Sequence, residues 1–171
     1  ESQFRRGIEL NPNNAYSRQM CAFLLSQLGR FGEANDEYKK TLDLDPLSVV
    51  GNWIYSFGLL LERRYDECIV QANKTLELDP NFPAAFLSLG FASHMIGGYA
   101  ESVQAYAKFI DLCGSADVAL LIRESFESGG WEGFLNAMTS GSAPSMLSAY
   151  IVAVFPAAKG AVEGAPPKLE S

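Results

Sequence analysis

The sequence repeats one short phrase three times, as IELNP at residues 8–12, LDLDP at 42–46 and LELDP at 76–80. The proline that closes each phrase stands 34 residues after the one before it. Other positions keep the same step without a gap, namely the aromatics Phe31, Tyr65 and Tyr99, the acids Glu33, Glu67 and Glu101, and two sets of small residues, Ala22, Ser56 and Gly90, and Ala34, Cys68 and Ser102. A gapless period of this length indicates a tandem repeat in which each unit is one supersecondary structure.

Each repeat contains two stretches with apolar residues at helical spacing. The first pair covers 15–28 and 32–44, and Gly29 lies between them, where glycine commonly ends a helix. The second stretch stops ahead of Pro46, because the residue before a proline is disfavoured in the helical region. The same design predicts helices at 49–62, 65–78, 83–96 and 99–112. Ser48 suits the N-cap of a helix, and Pro83 suits a first helical turn.

The small residues explain how each hairpin closes. We expect Ala22, Ser56 and Gly90 on the first helices to lie opposite Ala34, Cys68 and Ser102 on the second helices, because large side chains there would separate the pair. A hairpin of this size cannot bury its apolar face alone, so its stability must come from stacking on neighbouring hairpins.

This pattern resembles the tetratricopeptide repeat (TPR), a helix–turn–helix with small residues at repeat positions 8 and 20, an aromatic at 17 and a proline at 32. The likeness runs from Phe4 to about Leu112. The family's tryptophan at repeat position 4 is absent, since Arg18, Asn52 and Phe86 stand there and Trp53 comes one place later. The resemblance implies an all-α fold, a right-handed superhelical solenoid of antiparallel helix pairs.

The array is predicted to occupy residues 1–138. It comprises a half repeat at 1–14, full repeats at 15–48, 49–82 and 83–116, and a degenerate repeat at 117–138 with two short helices around Gly129-Gly130. Residues 139–171 are predicted to form a turn-rich linker, an apolar helix at 146–155 and an irregular tail, because Pro166-Pro167 forbids a regular second helix. Since the chain opens at Glu1 with only the second helix of a repeat, we expect it to be part of a longer protein.

Composition argues against several partners. A net charge of −7 disfavours nucleic acid, because binding to phosphates needs a basic field. A membrane anchor is not expected either, since the apolar run near 146–155 is far shorter than the ~20 residues needed to span a bilayer. The three cysteines, Cys21, Cys68 and Cys113, form no metal or redox motif and are expected to be thiols of a reducing compartment. The expected location is the cytoplasm, with the periplasm as the alternative.

The TPR likeness implies that ligands bind a concave face, which the first helices line at repeat positions 2, 5, 9 and 12. The candidate partner-binding residues are Tyr16, Gln19, Phe23, Val50, Trp53, Phe57, Leu60, Leu87, Phe91 and His94. Their spacing keeps each set on one side of its helix. The face lacks the cations with which TPR co-chaperones hold a C-terminal carboxylate, so chaperone tails are disfavoured. Packing of these aromatics within the molecule remains an alternative.

The functional hypothesis is a scaffold that binds a protein or peptide segment, helical or extended, on an apolar concave groove. The degenerate repeat resembles those in TPR regions of bacterial signalling and transcription-regulator proteins, which suggests a module of a larger bacterial regulator. The alternative is a structural self-association module, pairing through terminal hairpins or through the segment from Met146 to Phe155. No enzyme, cofactor or metal site is expected, because the single histidine, His94, has no cysteine or carboxylate at catalytic spacing.

Overall fold

The computed structural model describes residues 1–139, and of Thr139 the backbone alone. Within this part of the chain, every regular element is an α-helix. The helices are α1 (Ser2–Leu10), α2 (Ala15–Gln27), α3 (Phe31–Leu44), α4 (Val49–Leu61), α5 (Tyr65–Leu78), α6 (Pro83–Met95), α7 (Tyr99–Leu112) and α8 (Ala116–Thr139). The all-α prediction is confirmed, and α2 to α7 begin and end at or beside the predicted residues. The predicted linker, the apolar segment at 146–155 and the tail lie outside the described residues.

The first helix of each full repeat ends in the same backbone turn. Gly29, Arg63 and Gly97 occupy equivalent repeat positions and have φ angles of 73°, 64° and 84°. The next N–H in each case donates back into the helix, from Arg30 to Leu25, from Arg64 to Leu59 and from Gly98 to Ser93, at 2.9, 2.9 and 2.8 Å. This Schellman arrangement satisfies carbonyls that the helix end leaves open. Arg63 adopts a left-handed conformation that glycine tolerates better, at a cost of roughly 1 kcal/mol.

Two of the first helices, α2 and α4, begin with a side-chain N-cap. The side-chain oxygen of Asn14 accepts a hydrogen bond from the Ser17 N–H at 2.9 Å, and Ser48 Oγ accepts from the Gly51 N–H at 3.1 Å. The predicted Ser48 cap is therefore confirmed. Pro83 lies in the first turn of α6, where its missing N–H leaves no helical hydrogen bond unmade.

The first compact unit comprises residues 1–98. Consecutive helices pack against each other from α1 to α6, and the first helices also form a row in which α4 contacts both α2 and α6. Its interior includes a cluster of buried side chains formed by Cys21, Ala22, Leu25, Ala34, Tyr38 and Ile54, and another formed by Leu59, Leu60, Cys68 and Ala92. Ala22 and Ala34 are almost fully buried, as the predicted close approach of α2 and α3 requires.

The second compact unit begins at Tyr99, and its described part contains α7 and α8. The backbone leaves the helical region inside α8 at Gly130, with φ 58° and ψ −150°, so the predicted break at Gly129-Gly130 is confirmed. Beyond the break, the Ser125 carbonyl leaves no room for a side chain on Gly133. The returning segment buries Phe134, whose ring stacks on Tyr106 with the centroids 6.1 Å apart.

Candidate partner-binding face

The predicted binding residues of the first unit lie on the row of first helices α2, α4 and α6. Four aromatic rings form a continuous series across this row, which we call the aromatic ladder: Phe23, Phe57, Trp53 and Phe82. The ring centroids are 6.0 Å apart for Phe23 and Phe57, 6.4 Å for Phe57 and Trp53, and 5.8 Å for Trp53 and Phe82. All four side chains are half-buried.

Phe82 is the member of the ladder that the sequence did not reveal. It occupies the N-cap position of α6, where Asn14 and Ser48 cap the equivalent helices with their side chains. An aromatic ring cannot accept the capping hydrogen bond, and here it packs on Trp53 instead. A phenylalanine at a repeat position that otherwise holds capping residues was the available signal.

The other predicted residues differ in depth. Tyr16 and Val50 are 66% and 46% exposed, at the starts of α2 and α4. Gln19 and Leu60 are buried, with 6% and 8% of their surface accessible. The three candidates on α6, Leu87, Phe91 and His94, are half-buried. The periodicity of the sequence predicted which side of each helix these residues share, but not the exposed fraction of each side chain.

This face is electrically neutral. None of the ten predicted positions carries a carboxylate or a permanent cation. Burial lowers the pKa of His94 to about 4, so its imidazole is uncharged at neutral pH. The indole N–H of Trp53 is enclosed and has no hydrogen-bond acceptor among residues 1–138. The face therefore presents apolar and aromatic surface with few polar groups.

At repeat position 4, where the TPR pattern has a tryptophan, the first full repeat has an arginine that forms an ion pair. Arg18 Nη1 lies 2.7 Å from Glu37 Oε2, and both side chains are largely buried. The guanidinium also donates from Nε to the Pro12 carbonyl at 2.9 Å. Burial alone would raise the pKa of Glu37, but hydrogen bonds from Lys40 and Arg18 outweigh it and leave that pKa below its usual value.

The second repeat has a neutral pair at the same two positions. Gln71 Nε2 donates to Asn52 Oδ1 at 2.6 Å. Asn52 Nδ2 in turn donates to the carbonyls of Pro46 and Ser48, at 3.0 and 2.9 Å. In both repeats the pair joins the first helix to the second helix and to the preceding loop. Sequence reasoning identified Arg18 and Asn52 as departures from the family but missed their partners.

The described residues contain no arrangement of His, Cys, Asp and Glu that would hold a metal ion. Burial raises the pKa of the Cys68 thiol to about 12 and raises that of Cys21, so neither is poised to act as a thiolate. Across residues 1–139, no helix combines the length and apolar character that crossing a bilayer requires.

Comparisons with known proteins bear on the fold. No protein-family model matches the chain, and neither does any curated protein. Among solved structures, the crystal structure of MamA is similar, with a TM-score of 0.60 and 19% sequence identity, over 94% of this chain and 85% of that one. MamA is a TPR-like helical repeat protein, and the likeness supports a TPR-type helical solenoid for this chain.

Proposed function

We propose that this chain is a protein-interaction scaffold that binds an apolar, uncharged segment of a partner protein on the face formed by α2, α4 and α6. A TPR-like fold suggests a protein-interaction scaffold in general. The observation that supports this particular face is the aromatic ladder, flanked by the exposed side chains of Tyr16 and Val50. Aromatic side chains are enriched at the centres of protein interfaces, where they contribute much of the binding energy.

The second helices have a different character, which favours the first-helix face as the binding surface. Their exposed side chains include Lys39, Lys74 and Glu77, which interact well with water and gain little from being covered. Val70 on α5 is an exposed apolar residue, 56% accessible, in the middle of a helix that also carries Lys74 and Glu77. We extend the proposal to a module of a larger bacterial regulator, on the resemblance of the degenerate repeat.

Val50 and Val70 provide a matched test, since both are valines on helices of the second repeat with similar exposure. The probe is a peptide selected from a phage-displayed library of random 12-residue sequences, with this chain as bait. Val50→Asp is expected to weaken binding of the peptide at least tenfold, because binding would bury an unpaired carboxylate. Val70→Asp is expected to change the dissociation constant less than twofold.

Equal effects of the two substitutions, or a larger effect at Val70, would contradict the proposal. Sedimentation velocity over a concentration series tests the alternative function. A dimer that forms with increasing concentration and is lost in Val50→Asp would assign this face to self-association instead.

A further inference from the structure

The loops that lead from a second helix into the next first helix expose four leucines. These loops, with the last residues of the preceding helices, cover 9–14, 43–48 and 77–82, and we call them the loop edge. They lie on one side of the first compact unit, because short loops make its consecutive, packed helices antiparallel. The exposed leucines are Leu10, Leu44, Leu47 and Leu78. They form a row of apolar side chains along the loop edge.

Leu47 is the member of this row that the repeat does not require. Asn13 and Asn81 occupy the same position in the other two loops, so a polar side chain suits the turn. Leu47 is 72% exposed, and no large apolar side chain in the described part of the chain is more exposed. Because leucine stabilises a structure only where its surface is removed from water, Leu47 contributes little to the fold and would contribute to binding.

The charges of the loop edge are all of one sign. Its three segments contain five carboxylates and no lysine or arginine. Of the five, only Glu9 has an ion-pair partner among residues 1–138, Arg6 at 2.9 Å. Asp43 and Glu77 lie in the last turns of α3 and α5, where the helix dipole is negative and no basic residue is present. These carboxylates repel one another and the helix ends, and a positively charged partner would relieve that repulsion.

The opposite edge, where each first helix turns into its second helix, has a different charge pattern. Arg30 Nη2 lies 2.7 Å from Glu33 Oε2, and Arg64 Nη2 lies 2.6 Å from Glu67 Oε2. Leu28 is exposed on this edge too, by 57%. Both edges therefore expose leucine, but only the loop edge combines leucine with carboxylates and no cations.

The spacing of the loops fits the side chains of an α-helix. Since α4 contacts both α2 and α6, and packed helices lie about 8–10 Å apart, equivalent loop positions recur at about that interval. A helix places residues i and i+7 on one side, about 10.5 Å apart. An extended strand repeats its side chains about every 6.6 Å, which matches the interval less well.

The sign of the charge selects the class of partner. Anionic membranes and nucleic acids carry the same sign as the loop edge, and so does the loop edge of a second copy of this chain. A protein helix with a basic side and an apolar stripe is complementary both to the carboxylates and to the leucines.

We infer that the loop edge is a second docking surface, which binds a basic amphipathic α-helix of a partner protein. The apolar stripe of that helix covers the exposed leucines around Leu47. Its lysines or arginines lie against Asp43, Asp45 and Glu77. The leucines of the loop edge are not part of the aromatic ladder, so this inference does not depend on the proposed function.

The test uses a designed probe and matched leucine variants. The probe is an alanine-based helical peptide of about 20 residues, with leucine at every seventh position and lysines on both sides of that stripe. Leu47→Asn introduces the residue of the other two loops. It is expected to weaken probe binding about tenfold without lowering the unfolding midpoint. Leu28→Asn is the control on the opposite edge and is expected to change the dissociation constant less than about twofold.

A second pair of variants tests the charges. Asp43→Asn with Asp45→Asn is expected to weaken probe binding about tenfold at about 0.05 M salt and to reduce its dependence on salt. Asp36→Asn with Asp66→Asn makes the same change in net charge at exposed positions of α3 and α5. This control is expected to weaken binding less than about twofold.

Several results would overturn the inference. Equal losses for the two leucine variants, or for the two double variants, would reduce the binding to general attraction between opposite charges. Equally tight binding of a probe with glutamate in place of lysine, or of one whose leucines are spread around the helix, would also reject it.

Discussion

The first two full repeats link their two helices through side-chain pairs at the same repeat positions, but the pairs differ in chemistry. At repeat position 4, Arg18 forms an ion pair with Glu37, whereas Asn52 accepts a neutral hydrogen bond from Gln71. Both position-4 side chains also donate to the carbonyl of the proline in the preceding loop, at 2.9 and 3.0 Å. In both repeats the pair at this position joins the first helix to the second helix and to the preceding loop. The two side chains of each pair are complementary, ionic in the first repeat and neutral in the second.

The third repeat extends the comparison in sequence. At the same two positions it has Phe86 and Ala105, which are both apolar. A charged, a neutral polar and an apolar pair thus occur at one register of the repeat. None of the three combinations leaves a buried polar group without a hydrogen-bond partner, which would lower the stability of the fold.

Removal of Asn52 from the neutral pair is expected to lower the free energy of unfolding more than any other change considered. Asn52→Ala removes two bonds to loop carbonyls and leaves the buried amide of Gln71 without its acceptor. We expect the free energy of unfolding to fall by roughly 2–4 kcal/mol, measured by denaturant titration. The control is Asn73→Ala, an exposed position on α5, which is expected to stay within about 0.5 kcal/mol. A similar loss at both positions would show that the buried network contributes little.

Transplanting the neutral pair into the first repeat tests whether the chemistries are interchangeable. Arg18→Asn alone and Glu37→Gln alone each mismatch the pair and are expected to cost roughly 1–2 kcal/mol. The double variant restores a matched pair. Its loss of unfolding free energy is expected to be at least about 1 kcal/mol smaller than the sum of the two single losses. Strictly additive losses in a double-mutant cycle would mean that the two residues do not act as a pair.

The sequence allowed most of the fold to be predicted, because a 34-residue register repeats every helix start and end. Gly29, the Ser48 cap and the break at Gly130 were all visible as local signals. The polar pairs were missed because each residue was considered alone, although Glu37 and Gln71 share a repeat position as Arg18 and Asn52 do. The burial of Gln19 was also missed, since depth depends on how neighbouring helices pack and not on periodicity.

The helix ends offer a second contrast between these repeats, with a smaller expected effect. The left-handed turn is made by Gly29 in the first repeat and by Arg63 in the second. Arg63→Gly is expected to raise the free energy of unfolding by about 0.5–1 kcal/mol, because glycine adopts this conformation without strain. The reciprocal change, Gly29→Ala, is expected to lower it by a similar amount. Thermal unfolding of both variants measures this, and shifts of the same sign would contradict the account.

The smallest expected effect is a difference between the two pairs in how their contribution to stability depends on pH. The pKa of Glu37 is lowered in the folded chain, so its pairing stabilises the fold above the usual glutamate pKa of about 4.3 and is lost as the pH falls through the folded value. The stability difference between the natural chain and Glu37→Gln is therefore expected to shrink between about pH 6 and pH 3. The corresponding difference for Asn52→Ala should stay constant, since neither Asn52 nor Gln71 titrates. If the stability losses of Glu37→Gln and Asn52→Ala changed with pH in the same way, the ionised Glu37 would not be what stabilises the first pair.

Amide chemical shifts test whether a partner binds the face formed by α2, α4 and α6. The selected peptide is added to the 15N-labelled chain, and the shift changes are mapped by residue. We expect these changes to concentrate on α2, α4 and α6, around Trp53 and Phe57. Changes concentrated on the outer surfaces of α3 and α5, around Val70, would contradict it.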